Sequence, residues 1–167
     1  HSNDLRSVMD TAIAWYVHGA KIGDTTAKVL AKRVFLEGWS NAPWRRDSQD
    51  VDDWARGVCM RMVAHAAHIL WDELDQETRD QVVQDLYHQA ETYADRLPES
   101  GYVGNTKAEE NAWHAAFLAA VVNLFPNAEG HDKEWIEAKA RCFAYHAITH
   151  PSDGSYCGLD SQTVWDD

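Results

Sequence analysis

Apolar residues recur at steps of three and four along most of this chain, and that helical period is what most constrains its fold. No stretch alternates apolar and polar residues with the period of two that a strand requires. The sequence therefore predicts an all-α protein of about six helices, with glycine or proline near their ends. The predicted helices begin near Asp4, Thr25, Ser48, Asp75, Thr106 and Asp132, and end near His18, Gly38, Trp71, Leu97, Phe125 and Pro151.

The connections between successive helices are short, which makes neighbouring helices antiparallel. Helices one and two, three and four, and five and six are thus predicted to pair as hairpins. We expect one all-α domain over residues 1–167, with 152–167 as an irregular tail. The hairpins show no shared sequence repeat, so the pattern does not indicate a consensus solenoid.

Composition excludes several classes of function. The chain has 167 residues and a net charge of −12, which argues against broad binding to nucleic acid or anionic membranes. No apolar run approaches the roughly 20 residues that cross a bilayer. The three cysteines give no disulfide framework. The chain begins at His1 without a methionine, so we expect either a processed or an engineered start, and no compartment is predicted.

One stretch, residues 101–114, combines a glycine-containing turn with a helix start. Thr106 and Glu109 have the spacing of a capping box, in which each side chain satisfies a free amide of the first turn. Behind this cap, an acid, an amide and an imidazole share one side of the predicted helix. They are Glu110, Asn111 and His114. The sequence therefore predicts a functional site at this helix entrance.

Two runs, Arg45 to Gly57 and Gly104 to Trp113, resemble bacterial α/α-toroid proteins of the heparinase-like and polysaccharide-lyase-like group. That resemblance implies hairpins from a ring of about a dozen helices, of which this chain would supply the first half. It also implies partner helices that complete the toroid. In such lyases an asparagine, a histidine, a tyrosine and often an arginine neutralise a uronate carboxylate and move protons. Asn111, His114 and Tyr102 are the candidates here.

The chemistry of these residue types is consistent with cleavage of an acidic polysaccharide. A histidine or a tyrosine can remove the proton at C5 of a uronic acid, and an amide or guanidinium can stabilise the developing negative charge. Aromatic faces can stack on sugar rings, and arginines can bind anionic groups through forked hydrogen bonds. The predicted substrate-binding residues are Trp44, Arg45, Arg46, Asp53, Trp54, Glu110 and Trp113. We expect a carbohydrate ligand and neither a cofactor nor a metal.

Other functions fit parts of the pattern. The chain could be a non-catalytic helical interaction domain, with an exposed apolar flank where further helices dock. It could also be a glycoside hydrolase that pairs a carboxylate of the third helix with one of the fifth, although acids in a first helical turn are favoured by the helix dipole alone. The carboxylates concerned are Asp50, Asp52, Asp53, Glu109 and Glu110.

Two weaker alternatives rest on short motifs. Residues 50–53 match the D-x-D-D pattern of class II terpene cyclases, but four such residues arise easily by chance. His65, His68 and Asp72 have helical spacing suited to a metal, as do, less convincingly, His146, His150 and Cys157. Histidines with ordinary structural roles are the more common explanation of such spacing.

Overall fold

The computed structural model describes residues 2–42, 53–98 and 108–148, and all the regular structure in these ranges is helical. The prediction of an all-α protein with six helices is therefore confirmed. The helices are α1 (Ser2–Ile22), α2 (Thr25–Ser40), α3 (Asp53–Ile69), α4 (Gln76–Ala94), α5 (Ala108–Leu124) and α6 (Lys133–Ile148), with a single 3₁₀ turn at Trp71–Glu73 between α3 and α4. The predicted cap of the third helix at Ser48 and that of the fifth at Thr106 lie outside the described residues.

Helices α2, α4 and α6 each begin next to an aspartate whose side chain caps the helix. Asp24 accepts hydrogen bonds from the amides of Thr26 and Ala27 at 2.9 and 3.1 Å. Asp75 and Asp132 cap α4 and α6 in the same way, each accepting from an amide three residues on. The hydrogen bond from the Thr78 amide is the main reason why the pKa of the Asp75 carboxyl is lowered. Side-chain oxygens at these positions satisfy amides that the helix itself leaves unpaired.

Two helices are longer than predicted because their glycines serve packing. Gly19 and Gly23 were expected to end the first helix and Gly38 the second, but Gly19 lies inside α1 and Gly38 inside α2. The turn after α1 falls at Gly23, whose φ of 73° lies in the left-handed region that favours glycine. The Asp24 amide then closes the helix end by donating to the Gly19 carbonyl at 2.9 Å.

The chain divides into two compact units at Leu86 and Tyr87, inside α4. In the first unit, α1 packs closely on both α2 and α3. Its core includes Met9, Phe35, Met60, Val63 and Leu70, all fully buried. The predicted pairing of helices one and two is present. Helix α3 was predicted to pair with helix four, but within this unit its close helix contacts are with α1 and α2.

Polar contacts support the first unit at its edge. The Trp39 indole donates to Asp85 at 2.9 Å. The Lys28 ammonium lies 3.4 Å from Glu73 and 5.2 Å from the centre of the Tyr16 ring. These contacts join α2 to α4 and to the 3₁₀ turn. Partly exposed ion pairs of this kind contribute little stability individually.

The second unit consists of the end of α4 with α5 and α6. Helices α5 and α6 pack extensively on one another, and their short connection makes them an antiparallel hairpin, as predicted. The core includes Tyr87, Tyr93, Phe117, Leu118 and Phe143, each at most 1% exposed. The Tyr87 hydroxyl donates to the Phe125 carbonyl at 2.9 Å and so attaches the end of α5 to α4. The expectation of a single domain over 1–167 stays a prediction.

The substitution Gly19→Ala tests whether packing or helix propensity determines the change in stability at this position. A Cβ there would lie 2.8 Å from the Asp24 carbonyl oxygen and 2.9 Å from the Ala27 Cβ. Alanine gains about 1 kcal/mol of helix propensity, but overpacking costs about 1–3 kcal/mol. We expect a net loss of about 1 kcal/mol in the free energy of unfolding by urea.

Gly38→Ala is the matched control for Gly19→Ala, because its nearest neighbours are side-chain methyl groups of Val8 and Met9, which can rotate away. Its loss should be smaller. A Gly19→Ala protein more stable than wild type would show that propensity, and not helix contact, governs the position.

Candidate functional site

Helix α5 buries the two residues at the centre of the predicted site. Asn111 is 1% exposed and His114 is 8% exposed. They are three positions apart, on the side of α5 that also carries the buried Leu118 and Val121. Had they been simple surface residues of a helix start, both would be exposed. Their burial means that each needs polar partners inside the protein, since an unpaired buried polar group is costly.

A tyrosine and an arginine at the end of α4 join this pair. The ring centroid of Tyr93 lies 4.9 Å from that of His114. The Arg96 guanidinium lies over the Tyr93 ring, 4.6 Å from its centre, which is a cation–π distance. Phe143 of α6 meets the His114 ring edge to face at 5.3 Å. We call Asn111, His114, Tyr93 and Arg96 the polar cluster.

The second unit holds every buried polar side chain found among the described residues. Besides Asn111 and His114, these are Gln89, Lys139 and His146, between 3% and 8% exposed. Neither ring nitrogen of His146 has a hydrogen-bond partner within the described part of the chain. Burial lowers the pKa of His146, so its imidazole is held neutral.

A histidine–carboxylate pair lies elsewhere in this unit. His131 Nδ1 is 2.7 Å from Glu91 Oε1, and the His131 ring stacks on Tyr87 with centroids 4.3 Å apart. Burial, and then the charge of Glu91, raise the pKa of the Tyr87 hydroxyl. With the bond from Tyr87 to Phe125, the pair holds the connection between α5 and α6 against α4.

The structure locates only part of the predicted site. Glu110 and Trp113 of α5 are half-buried, and both have polar or ring contacts. Asp53 and Trp54 begin α3, but their side chains are outside the described residues, as are Asp50 and Asp52. Four further predicted site residues also lie outside them, namely the substrate-binding candidates Trp44, Arg45 and Arg46 and the catalytic candidate Tyr102.

Tyr93 and Arg96 were not predicted as site residues. In the sequence, Tyr93 belongs to the apolar face of the fourth helix and Arg96 follows near its end. The only available signal was an aromatic residue followed by a cation at a helix end, which is common in proteins. The contact of Tyr93 with His114 depends on how α4 and α5 pack, and no local pattern contains that information.

Within the described ranges, the structure does not assemble a metal-ligand group from His65, His68 and Asp72. No three histidine, cysteine or acidic side chains come together among the described residues. His65, His68 and Asp72 are exposed, and the pKa of His65 is lowered by its partial burial and then by Arg61 and His68. His150 and Cys157, suggested with His146, lie outside the described ranges.

An open groove runs between α5 and α6 on the second unit. It encloses about 490 Å³. Small side chains line most of its length, with polar residues at the Asn123 end, where Glu137 and Arg141 pair at 2.8 Å. The alanines that line it are Ala112, Ala115, Ala116, Ala119, Ala140, Ala144 and Ala147.

Compared with known proteins, the chain gave no match to a family model, a curated protein or a solved structure. The resemblance to α/α toroids therefore stays a prediction from its two sequence runs. None of the described helices is both long and apolar enough to cross a bilayer.

The neutral, buried His146 should make the protein less stable in mild acid. Its pKa in the folded protein is below the ordinary value of 6.5. As the pH falls through 6.5, the unfolded chain takes up a proton that the folded one does not. Stability is lost until the pH reaches the folded pKa, at no more than about 1.4 kcal/mol per pH unit for one group. Urea unfolding from pH 7.5 to pH 5 measures this slope.

His146→Leu should flatten that slope, whereas His88→Leu, at an exposed histidine of α4, should leave it unchanged. An identical pH dependence in wild type and His146→Leu would show that His146 is not the group responsible.

Proposed function

We propose that this chain provides the polar cluster of a carbohydrate-active protein that cleaves an acidic polysaccharide by elimination. The observation that carries the proposal is the contact of Tyr93 with both His114 and Arg96. The buried Asn111 lies about one helical turn before His114 on α5. Asparagine, histidine, tyrosine and arginine are the four residue types that the sequence resemblance implies for a lyase. Tyr93 contacts a histidine and an arginine of this set, and in this proposal it takes the role first assigned to Tyr102.

Each residue of the polar cluster has a suitable chemical role. Elimination removes the C5 proton of a uronic acid, forms the C4=C5 double bond and expels the oxygen at C4. Arg96 and Asn111 would bind the carboxylate and stabilise the charge that develops on it. His114 and Tyr93 would accept the C5 proton and return a proton to the leaving oxygen. Pairing an imidazole with a phenol provides a base and an acid in direct contact.

Burial sets a condition on this mechanism. Tyr93 is fully buried and Asn111 nearly so, so a sugar reaches them only after the start of α5 moves away from the end of α4. Arg96 is half-buried and is the member of the cluster that a substrate in solution meets first. A carboxylate bound by Arg96 would draw the guanidinium off the Tyr93 ring and begin to uncover the cluster.

Tyr93→Phe tests the proposal with little disturbance of packing. The protein is incubated with acidic polysaccharides, and new ultraviolet absorbance reports unsaturated sugar ends. We expect wild type to produce them and Tyr93→Phe to be about 10²–10⁴-fold slower, because a general acid–base group is lost. His114→Gln should be similarly slow.

Tyr87→Phe is the matched control, a buried tyrosine of the same helix whose hydroxyl donates to the Phe125 carbonyl. It should lose stability but keep activity. Reducing ends without unsaturated products would indicate the glycoside hydrolase alternative instead. Absence of both products on every polysaccharide, or full activity of Tyr93→Phe, would refute the lyase proposal.

The α5–α6 groove favours a second function, that of a helical interaction domain. An apolar helix of a globular protein is normally covered on all sides, yet α5 leaves its alanines open along this groove. The first unit, in contrast to this groove of small side chains, exposes large apolar side chains on α1 and α2. These are Trp15, Val17, Ile22 and Val29, from 45% to 67% exposed.

We infer that the occupant of the groove is the α1–α2 hairpin of a second copy. Trp15 and Ile22 are seven positions apart and so lie on the same side of α1, where they can insert between small side chains of the groove. Two copies would also supply about the dozen helices that the resemblance implies. The net charge of −12 on each copy opposes this association, so added salt should strengthen it.

Sedimentation equilibrium tests this interaction. Wild type should dimerise as the concentration and salt rise, and Ala116→Glu, inside the groove, should weaken the dimer at least about tenfold because a buried, unpaired carboxylate is costly. Trp15→Glu should have the same effect. Gln81→Glu, an exposed position on α4, adds the same charge as a control. A wild type that stays monomeric under all conditions excludes a second copy as the occupant.

A further inference from the structure

The last turn of α6 contains a histidine that is buried without hydrogen bonds. His146 is 3% exposed, and within the described part of the chain neither Nδ1 nor Nε2 has a hydrogen-bond partner. Its ring meets that of Tyr145 edge to face, with centroids 5.7 Å apart. A neutral imidazole always carries one N–H donor and one acceptor, and burying both without partners costs free energy. Exposure of this turn to water would remove that cost.

The cause of the lowered pKa of His146 is burial. A positive charge in the last turn of a helix is otherwise favoured by the helix dipole, so burial has the larger effect here. Helix α6 packs on α5, whose start lies beside the end of α6 in their antiparallel hairpin. The titratable groups on the elements around His146 are Glu109, Glu110 and His114 on α5, Cys142, Tyr145, Lys139 and Arg141 on α6, and Arg96 after α4. None of these described groups is hydrogen-bonded to His146.

We propose that the last two turns of α6, from Cys142 to Ile148, open in mild acid while the rest of the second unit stays folded, and that protonation of His146 drives this opening. Helix ends open at a lower free energy than whole domains. In the open form His146 meets water and takes up a proton near its ordinary pKa of 6.5, whereas the closed form does not. The open population therefore rises as the pH falls below 6.5, by at most about tenfold per pH unit.

This opening would reach the polar cluster from α6. Phe143 lies in the segment that opens, and its ring meets that of His114 edge to face at 5.3 Å. Withdrawal of Phe143 uncovers the side of His114 that faces α6. Acid would thus increase access to this imidazole, and the opening itself does not depend on lyase activity.

Thiol labelling tests the proposal on the wild-type chain. Cys142 is free, 1% exposed and one turn before His146, and Cys59, free and 2% exposed in the first unit, is the reference. The chain is labelled from pH 7.5 to pH 5.5, and mass spectrometry of peptides gives the rate for each cysteine. Each rate is divided by that of the urea-unfolded chain at the same pH. We expect the normalised rate of Cys142 to rise between about two- and tenfold over this range.

The comparison with Cys59 separates local opening from unfolding of the whole chain. Local opening gives Cys142 a faster normalised rate than Cys59, and 1 M urea should change that rate little because little surface is exposed. Unfolding of the whole chain gives both cysteines equal rates, which 1 M urea accelerates about fivefold or more. Equal rates with this urea dependence, or a rate for Cys142 that does not change with pH, overturn the proposal.

Substitutions identify the group that responds to pH. His146→Leu should make labelling of Cys142 slower and independent of pH. His146→Gln keeps a polar side chain that does not titrate, so labelling should be faster than in His146→Leu but equally independent of pH. His88→Leu, at an exposed histidine of α4, should keep the wild-type rise. A rise that persists in the folded His146 variants overturns the proposal. Labelling needs no substrate, so failure of the polysaccharide assay leaves these results unchanged.

Discussion

The second unit depends on the apolar character of α5 on every side. Between Ala112 and Val122, its only polar side chain able to form strong hydrogen bonds is His114, apart from the indole of Trp113. Such a helix is stable in water only when neighbours cover most of its surface. Those neighbours, α4 and α6, therefore bring Tyr93 and Phe143 against the buried His114. Burial of the polar cluster is a consequence of the same packing that stabilises the hairpin.

Most of the fold could be predicted because it is encoded locally. Aspartates such as Asp24 and Asp132 start helices by accepting amide hydrogen bonds within three residues, and the apolar period of each helix needs no partner to be recognised. Gly19 shows where local reasoning failed. A glycine there is as consistent with close contact between helices as with a helix end, and only the position of α2 distinguishes the two.

Less of the candidate site could be predicted. The helix entrance, Asn111 and His114 were found from their spacing, since residues three apart on a helix must share a face. Their burial depends on contacts between segments some twenty positions apart, and so does the position of Tyr93 with its partner Arg96. The sequence of either segment alone does not indicate these contacts. Lys139 is the clearest case, because a lysine in a helix normally indicates an exposed face.

Charge and burial together account for the chemistry expected of this unit. A neutral His146 and a buried Lys139 occupy the same side of α6, seven positions apart. Burial disfavours the charged form of any ionisable group, and the imidazole responds by losing its proton. In the proposed elimination, the carboxylate of the sugar would bind Arg96. The guanidinium that meets this carboxylate is also the one that covers Tyr93, so binding of the charged group would expose the phenol at the same time. Recognition and catalysis would then be coupled through a single cation–π contact, and a neutral sugar would bind without uncovering the cluster.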